Sequence, residues 1–277
     1  MKKIILFSVL IPLFLLVIFI YKTTFIWLYE RYIAADSYYS HGFLVPFVTA
    51  FLIWLKRKEL VNLNLQTSNW GLVLIVAGLT IHIFSLLADV FFISGFSVII
   101  LAFGLSLYFL GKEVTKKIVF PLFFLVFMIP LPLVAINAIS FPMKMIATKS
   151  AVFIIKHGFH LPIKNEGFQI FFPNASLIVE NPCSGLRSLI SMLALGSIFA
   201  YLLKSNATKR VILFFWAIPI ALFSNLIRVI LLSLGVYVYG SGVTKGFFHD
   251  FTGYLVFIIA FISLFLLWRG LECRDSG

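Results

Sequence analysis

The sequence has few charged residues and almost no cysteine. Only 12% of its 277 residues are charged and two are cysteines, whereas 62% are hydrophobic. A soluble globular domain carries about 25% charged and about 45–50% apolar residues. The composition therefore excludes a soluble enzyme, a disordered chain, a coiled coil and a disulfide scaffold. The surplus apolar surface must face lipid, so the lipid bilayer is the first partner that we predict.

Long apolar runs predict an all-α polytopic membrane protein with about eight transmembrane helices. A membrane helix needs about 20 mostly apolar residues, and eight segments meet or approach that length. They are residues 4–21, 41–55, 70–88, 90–110, 118–136, 183–203, 211–235 and 250–268. The first segment follows two lysines but has no small-residue cleavage site, so we predict a retained signal anchor. No internal repeat or linker divides the chain, and we expect residues 1–277 to form a single integral membrane domain.

The formal net charge of +12 predicts membrane topology and gives no support to nucleic acid as a partner. With the N-terminus in the cytoplasm, more than half of the 22 Lys and Arg residues fall in short cytoplasmic segments. These cations are Lys2, Lys3, Lys56, Arg57, Lys58, Lys112, Lys116, Lys117, Lys204, Lys209, Arg210, Arg269 and Arg274. The positive-inside rule therefore favours a multi-pass protein of the inner cell membrane with both termini in the cytoplasm.

The one sizeable segment outside the predicted spans covers residues 137–182. Its first half, residues 137–160, is apolar with three spaced lysines, which favours a helix lying in the outer interface. Its second half is rich in strand formers between residues 167 and 179, with a turn signal at Pro173-Asn174. We therefore predict a short extracytoplasmic β-hairpin before the sixth helix.

A cysteine stands at the predicted start of the sixth span. Cys183 follows Asn181, a good N-cap, and Pro182, which suits the first helical position, so we expect Cys183 in the first turn. Unpaired N–H groups and the positive end of the helix dipole favour a thiolate there. Arg187 adds a cation about one turn further on. These features are typical of an activated thiol.

Two further groups lie in the seventh and eighth spans. Arg228 is about 10 Å short of the outer end of its span, and Asn225 three residues earlier indicates a face turned into the bundle. His249 stands just before the eighth span, beside Asp250. The predicted topology brings a thiol, a guanidinium and an imidazole to the outer surface, where they suit a nucleophile, an oxyanion stabiliser and a general base.

The remaining reactive residues have simpler interpretations. Cys273 is expected on the cytoplasmic side, about 30 Å of hydrocarbon away from Cys183, so the two thiols cannot form a disulfide. His82 in the third span has no partner ligand at a metal-binding spacing, and we predict a hydrogen-bonded histidine within the bundle. No metal and no cofactor are expected.

Taken together, the motifs resemble the exosortase/archaeosortase family of polytopic membrane cysteine proteases and transpeptidases. The similar stretches are 36–46, 181–187, 225–228 and 249–253, and the resemblance covers residues 36–253. It implies that Cys183 is the nucleophile, Arg228 the transition-state stabiliser and His249 the proton-transfer residue. Supporting or substrate-binding positions are expected at Asn181, Ser184, Arg187, Asn225 and His41, although the resemblance gives His41 no defined role.

The resemblance implies a reaction on other membrane-anchored proteins. The substrates would be secreted proteins with a C-terminal sorting signal, which consists of a short motif, a membrane helix and a basic tail. Cleavage at the extracytoplasmic face would leave an acyl-enzyme for water or for an envelope acceptor. The sorting motif, the acceptor and the oligomeric state stay open. The alternative is a small polytopic transporter or envelope-assembly factor without covalent catalysis, although the paired broken helices of many transporters are not evident.

Overall fold

The computed structural model describes residues 2–34, 37–61, 63, 66–173, 175–179, 184–240, 242 and 246–273, without the side chains of residues 2–10, 247, 249 and 250. Helices dominate these ranges, and a small sheet accompanies them. The chain divides into two compact units, residues 1–131 and 132–277. The single integral domain expected from the sequence stays a prediction.

All regular elements in the described part of the first unit are helices. Its α-helices are α1 (Lys2–Ile20), α2 (Lys22–Ile33), α3 (Leu44–Leu55), α4 (Arg57–Val61), α5 (Trp70–Leu87), α6 (Phe91–Phe109) and α7 (Lys112–Phe124). Short 3-10 helices cover Ser40–Phe43 and Leu125–Met128. Glycines let α5 and α6 approach closely, since a Cβ at Gly78 would lie only 3.1 Å from the backbone nitrogen of Leu101.

A buried polar network holds the break between α1 and α2. The two helices are bent by 71° relative to each other. His82 Nε2 lies 3.2 Å from the carbonyl oxygen of Ile20, where α1 ends, and His82 Nδ1 lies 2.7 Å from Ser94 Oγ. The imidazole also stacks on the ring of Tyr21. The prediction of a hydrogen-bonded histidine within the bundle is confirmed.

The second unit combines helices with an antiparallel sheet. Its described elements are α8 (Leu133–Gly158), β1 (Lys164–Glu166), β2 (Gln169–Phe171), β3 (Ser176–Ile178), α9 (Leu186–Leu202), α10 (Ala207–Tyr239) and α11 (Phe247–Cys273). The strand order is β1-β2-β3, and Ile170 pairs with Asn165 on one side and Leu177 on the other. Strands β2 and β3 form a hairpin within the predicted segment, whereas β1 was not predicted. The extracytoplasmic position of the sheet stays a prediction.

Helix α10 is the central element of the second unit, because it packs against α8, α9, α11 and β3. Its first half joins an apolar cluster with α9 and α11 through Leu213, Ala217 and Ala221. Its second half joins another cluster with α8 and the sheet through Val229, Leu232 and Val236. Asn225 and Arg228 lie on the helix between these two groups of residues. Apolar packing therefore fixes α10 on both sides of its polar residues.

The predicted count of eight spans is not confirmed. Five helices of the described chain are long and apolar enough to cross a membrane: Trp70–Leu87, Phe91–Phe109, Leu133–Gly158, Ala207–Tyr239 and Phe251–Cys273. The bent pair Ile11–Ile20 and Lys22–Ile33 would make a sixth. Two further predicted spans correspond to shorter apolar helices, Ser40–Leu55 and Leu186–Leu202. Helix α8, expected to lie in the interface, has the length and composition of a span.

The fifth predicted span, residues 118–136, is wrong as one continuous helix. Helix α7 ends at Phe124, a 3-10 helix continues to Met128, and α8 begins only at Leu133. Pro130 and Pro132 lie in the gap. Proline lacks a backbone N–H and disfavours a helical conformation in the residue before it. The apolar run is therefore divided between two helices.

Candidate active site

The start of α9 is set by a glycine. Gly185 has a φ of 81°, in the left-handed region, and α9 begins at the next residue, Leu186. Glycine adopts this conformation without the steric cost that a β-carbon brings. The predicted N-cap at Asn181 and the predicted place of Cys183 in the first turn are therefore wrong, because α9 starts later, at Leu186, and its cap is Gly185. Asn181 and Cys183 themselves lie outside the described residues.

Serine side chains complete the turn that leads into α9. Ser184 is 1% exposed, and its Oγ accepts a hydrogen bond from the backbone N–H of Leu186 at 3.2 Å. The Oγ of Ser188 donates to the carbonyl of Gly185 at 2.8 Å. Ser184, predicted as a supporting residue, thus helps to hold the backbone directly after Cys183.

Gly185 packs directly on Asn225 of α10. A Cβ at residue 185 would lie 2.7 Å from Asn225 Cγ and 2.9 Å from Asn225 Nδ2. Such distances are well inside the optimal separation of about 3.5–4.0 Å between non-bonded carbon atoms. Asn225 is only 2% exposed. The prediction that this face of α10 turns into the bundle is confirmed.

Arg228 lies three residues after Asn225 and packs against α11. A Cβ at Gly253 would lie 3.4 Å from Arg228 Nη2 and 3.7 Å from Cζ, and Arg228 Nε is buried. Because α10 continues to Tyr239, Arg228 is about 16 Å from the end of the helix, further than the sequence indicated. Its guanidinium lies against a neighbouring helix, which differs from an arginine that snorkels along lipid.

His249 lies in the first turn of α11, four residues before Gly253. Four residues of α-helix span about 6 Å. The backbone of His249 is therefore about one turn from the residue that contacts Arg228. The helix brings the third predicted catalytic position to the same junction.

Arg187 lies in the first turn of α9. It is partly buried, and its Nε has no hydrogen-bond partner within the described part of the chain. Arg187 follows Gly185 by two residues, and Gly185 contacts Asn225. Arg187, the predicted second cation, is thus two residues from the glycine at which α9 contacts α10.

His41 belongs to the first unit. It lies in the 3-10 helix Ser40–Phe43, its ring stacks on Tyr39 with 5.8 Å between the centroids, and it has a hydrogen bond with the backbone of Phe127. These contacts join the segment before α3 to the segment after α7. A role of His41 in the reaction stays a prediction.

Two glycines contribute to the junction that were not singled out from the sequence. Gly185 allows α9 to start on Asn225, where a Cβ would not fit, and Gly253 is the point at which α11 contacts Arg228. Small residues at helix contacts are typical of membrane proteins. The sequence offered one indication of this role. Both glycines lie within the polar stretches 181–187 and 249–253, and a small residue beside polar residues in a membrane helix indicates close packing.

A comparison with models of protein families relates this chain to a known family. A sequence model described as transmembrane exosortase matches residues 27–266, which is most of the chain and includes every segment of the junction. Neither the curated proteins nor the solved structures gave a match.

The Gly185→Ala variant should be strongly destabilised. The left-handed conformation costs about 1–2 kcal/mol for a residue with a β-carbon, and the new methyl group would overlap Asn225. We expect the thermal midpoint of the purified protein in detergent to fall by several degrees. Gly158→Ala is the control, because a Cβ there meets no atom within 4 Å. Equal midpoints for the two variants would contradict the contact.

Proposed function

Because the chain belongs to the transmembrane exosortase family, we propose that it is a membrane-embedded cysteine protease or transpeptidase. Its substrates are secreted proteins with a C-terminal sorting signal that consists of a short motif, a membrane helix and a basic tail. The observation that carries this proposal is the junction at which Gly185 meets Asn225 and Gly253 meets Arg228. These contacts join the three segments that hold Cys183, Arg228 and His249.

Cys183 is the nucleophile in this proposal. The short segment that contains it follows Val179 and precedes Ser184, which are 2% and 1% exposed. Val179 belongs to the apolar cluster that includes Val229 of α10, and the residue after Ser184 contacts Asn225 of the same helix. Covalent connectivity keeps the Cα atoms of Cys183 and Gly185 within about 7 Å. The described residues on both sides of this segment are therefore held beside the part of α10 that carries Arg228, and this supports the proposal that Cys183 acts together with Arg228.

The charges at the junction favour a reactive thiol. Arg228 is partly buried on α10, and Arg187 adds a second cation in the first turn of α9. Cations and helix N-termini lower the pKa of a nearby thiol, and the thiolate is the nucleophilic form. A guanidinium is also a suitable donor for an oxyanion, since it presents several N–H groups in a fixed plane.

The reaction then proceeds by acyl transfer. His249 takes the proton of Cys183, and the thiolate attacks the carbonyl carbon of the scissile peptide bond. Arg228 donates hydrogen bonds to the oxyanion, a contribution on the order of 3–4 kcal/mol. The C–N bond breaks, and His249 protonates the leaving amine. Water or an acceptor amine then gives a proton to His249 and attacks the thioester, which releases the product and regenerates the thiolate.

We place the reaction on the extracytoplasmic side. In the first unit, Lys56 Nζ donates to the carbonyl of Lys117 at 3.1 Å, and Lys117 Nζ lies 3.2 Å from Glu59 Oε2. Lys56 directly follows the end of α3, and Lys117 lies near the start of α7. Their contact places the two lysine-rich segments side by side, at one end of these helices. This agreement with the positive-inside rule supports a cytoplasmic location for that end of the first unit.

In the second unit, Lys204, Lys209 and Arg210 lie where α9 ends and α10 begins, at the end of α9 opposite to Gly185. The same rule supports an extracytoplasmic location for the junction.

Cys183→Ala should abolish cleavage, because no thioester can form. The assay is the gel mobility of a co-expressed secreted protein that carries a C-terminal sorting signal from the same genome. Cys273→Ala is the matched control, since Cys273 is exposed at the end of α11, and it should cleave at the wild-type rate. Normal cleavage by Cys183→Ala would refute covalent catalysis by Cys183 and favour a transporter or assembly factor.

Arg228→Lys should lower kcat by on the order of 100-fold with little change in KM. The oxyanion exists only in the transition state, and a lysine ammonium cannot reproduce the planar guanidinium that packs on Gly253. Steady-state cleavage of the same substrate by purified enzyme measures both constants. The control is Arg269→Lys, at an exposed position of α11. A wild-type kcat for Arg228→Lys would remove Arg228 from the reaction.

The two cysteines should differ in their access from outside the cell. In right-side-out membrane vesicles, a membrane-impermeant maleimide should label Cys183 in the Cys273→Ala variant. It should label Cys273 in the Cys183→Ala variant only after the vesicles are permeabilised. The opposite pattern would place the active site in the cytoplasm.

A further inference from the structure

Strand β3 has a partner strand, β2, on one side only within the described part of the chain. We call the edge of β3 that faces away from β2 its outer edge. Phe172 N–H donates to the Ala175 carbonyl, and Val179 N–H donates to the Phe168 carbonyl, each at 2.9 Å. Because positions alternate along an antiparallel pair, Leu177 between them also directs its N–H and C=O groups toward β2. The N–H and C=O groups of its two neighbours, Ser176 and Ile178, therefore point away from the sheet.

Side-chain packing fixes β3 beside the candidate active site. Leu177 and Val179 are 4% and 2% exposed and belong to one cluster with Val229 and Leu232 of α10. Val229 directly follows Arg228 in the sequence. The sheet therefore packs on the part of α10 that directly follows Arg228.

The unpaired edge leads directly into the nucleophile segment. Ile178 precedes Cys183 by five residues, which span at most about 18 Å when fully extended. The side chain of Ile178 lies on the face opposite to Leu177 and Val179 and is 55% exposed. A peptide along this edge would meet an apolar side chain and would lie within reach of the thiol.

We propose that the substrate segment around the scissile bond binds as an added strand at the outer edge of β3. The proposal rests on the proposed function and specifies how the same site holds its substrate. The N–H and C=O groups of Ser176 and Ile178 pair with the substrate backbone, and Ile178 contacts an apolar substrate side chain. The occupant is an extended peptide because a strand edge recognises extended main chain, with pockets for side chains supplying the specificity.

The opposite edge of the sheet is less suitable. Asn165 pairs with Ile170, whose hydrogen-bonding groups face β3, so the N–H and C=O groups of Asn165 point outward at β1. Its neighbours Lys164 and Glu166 are exposed charges. Charged side chains on an edge strand oppose the addition of a further strand. The β1 edge therefore provides a matched control position.

The test is a proline at each outward-facing position. Ile178→Pro removes one outward N–H, and its ring blocks an added strand, whereas the ladder between Leu177 and β2 is retained. Its kcat/KM for a purified reporter with a sorting-signal tail from the same genome should fall by about tenfold or more, mainly through KM. Asn165→Pro should resemble the wild type. Equal values for Ile178→Pro and Asn165→Pro would overturn the proposal.

A crosslinking experiment decides the case in which Ile178→Pro does not fold. A benzophenone amino acid at Ile178, in the Cys183→Ala background, should crosslink to the reporter. The same group at Phe153, which is 64% exposed on α8, should not. Absence of a crosslink at Ile178 would overturn strand addition even if the wild type cleaves the reporter. A crosslink at Ile178 without cleavage by the wild type would support strand addition and refute the proposed function.

Discussion

The second unit depends on the burial of two polar side chains, Asn225 and Arg228, within α10. Polar groups in a membrane helix are costly unless protein surrounds them. Gly185 allows part of that cover, because the absence of a side chain lets the start of α9 lie against the amide, and α11 lies against the guanidinium at Gly253. A β-carbon at Gly185 would overlap Asn225 and push the start of α9 away from α10, whereas a β-carbon at Gly253 would make ordinary van der Waals contact with the guanidinium. The convergence of the proposed catalytic segments is thus a consequence of how the polar residues are buried.

The same helix also holds the sheet. Apolar residues before Asn225 pack with α9 and α11, and apolar residues after Arg228 pack with α8, β2 and β3. Rotation or sliding of α10 would disturb both clusters, so the height and direction of its polar face are fixed. The segment that contains the proposed nucleophile then connects Val179, which packs with α10, to Ser184, which precedes the glycine that contacts Asn225. A short connection between Val179 and Ser184 would limit the positions that a thiol at residue 183 can take relative to α10.

Local sequence patterns predicted several of the helices and missed features that involve contacts between distant segments. The spans at 70–88 and 90–110 correspond to α5 and α6 within two residues, because nothing interrupts those apolar runs. The span at 118–136 failed because hydropathy reports contact with lipid and is insensitive to the two prolines that separate α7 from α8. The cap at Asn181 failed for another reason. The start of α9 coincides with the left-handed Gly185, which also contacts Asn225, 40 positions away. The helix-start signals at Asn181 and Pro182 do not contain that contact.

The outer edge of β3 would also provide hydrogen-bond partners that a substrate needs when it is cleaved next to its membrane helix. A peptide bond within a helix has its carbonyl engaged in the helical ladder, so residues near the scissile bond must be extended before a thiol can attack. In lipid each freed N–H or C=O group costs several kcal/mol unless it finds a new partner. The outward groups of Ser176 and Ile178 would supply such partners close to Arg228. In the proposed arrangement the sheet would stabilise the extended substrate and Arg228 would stabilise the oxyanion, so the two elements would act on successive stages of one reaction.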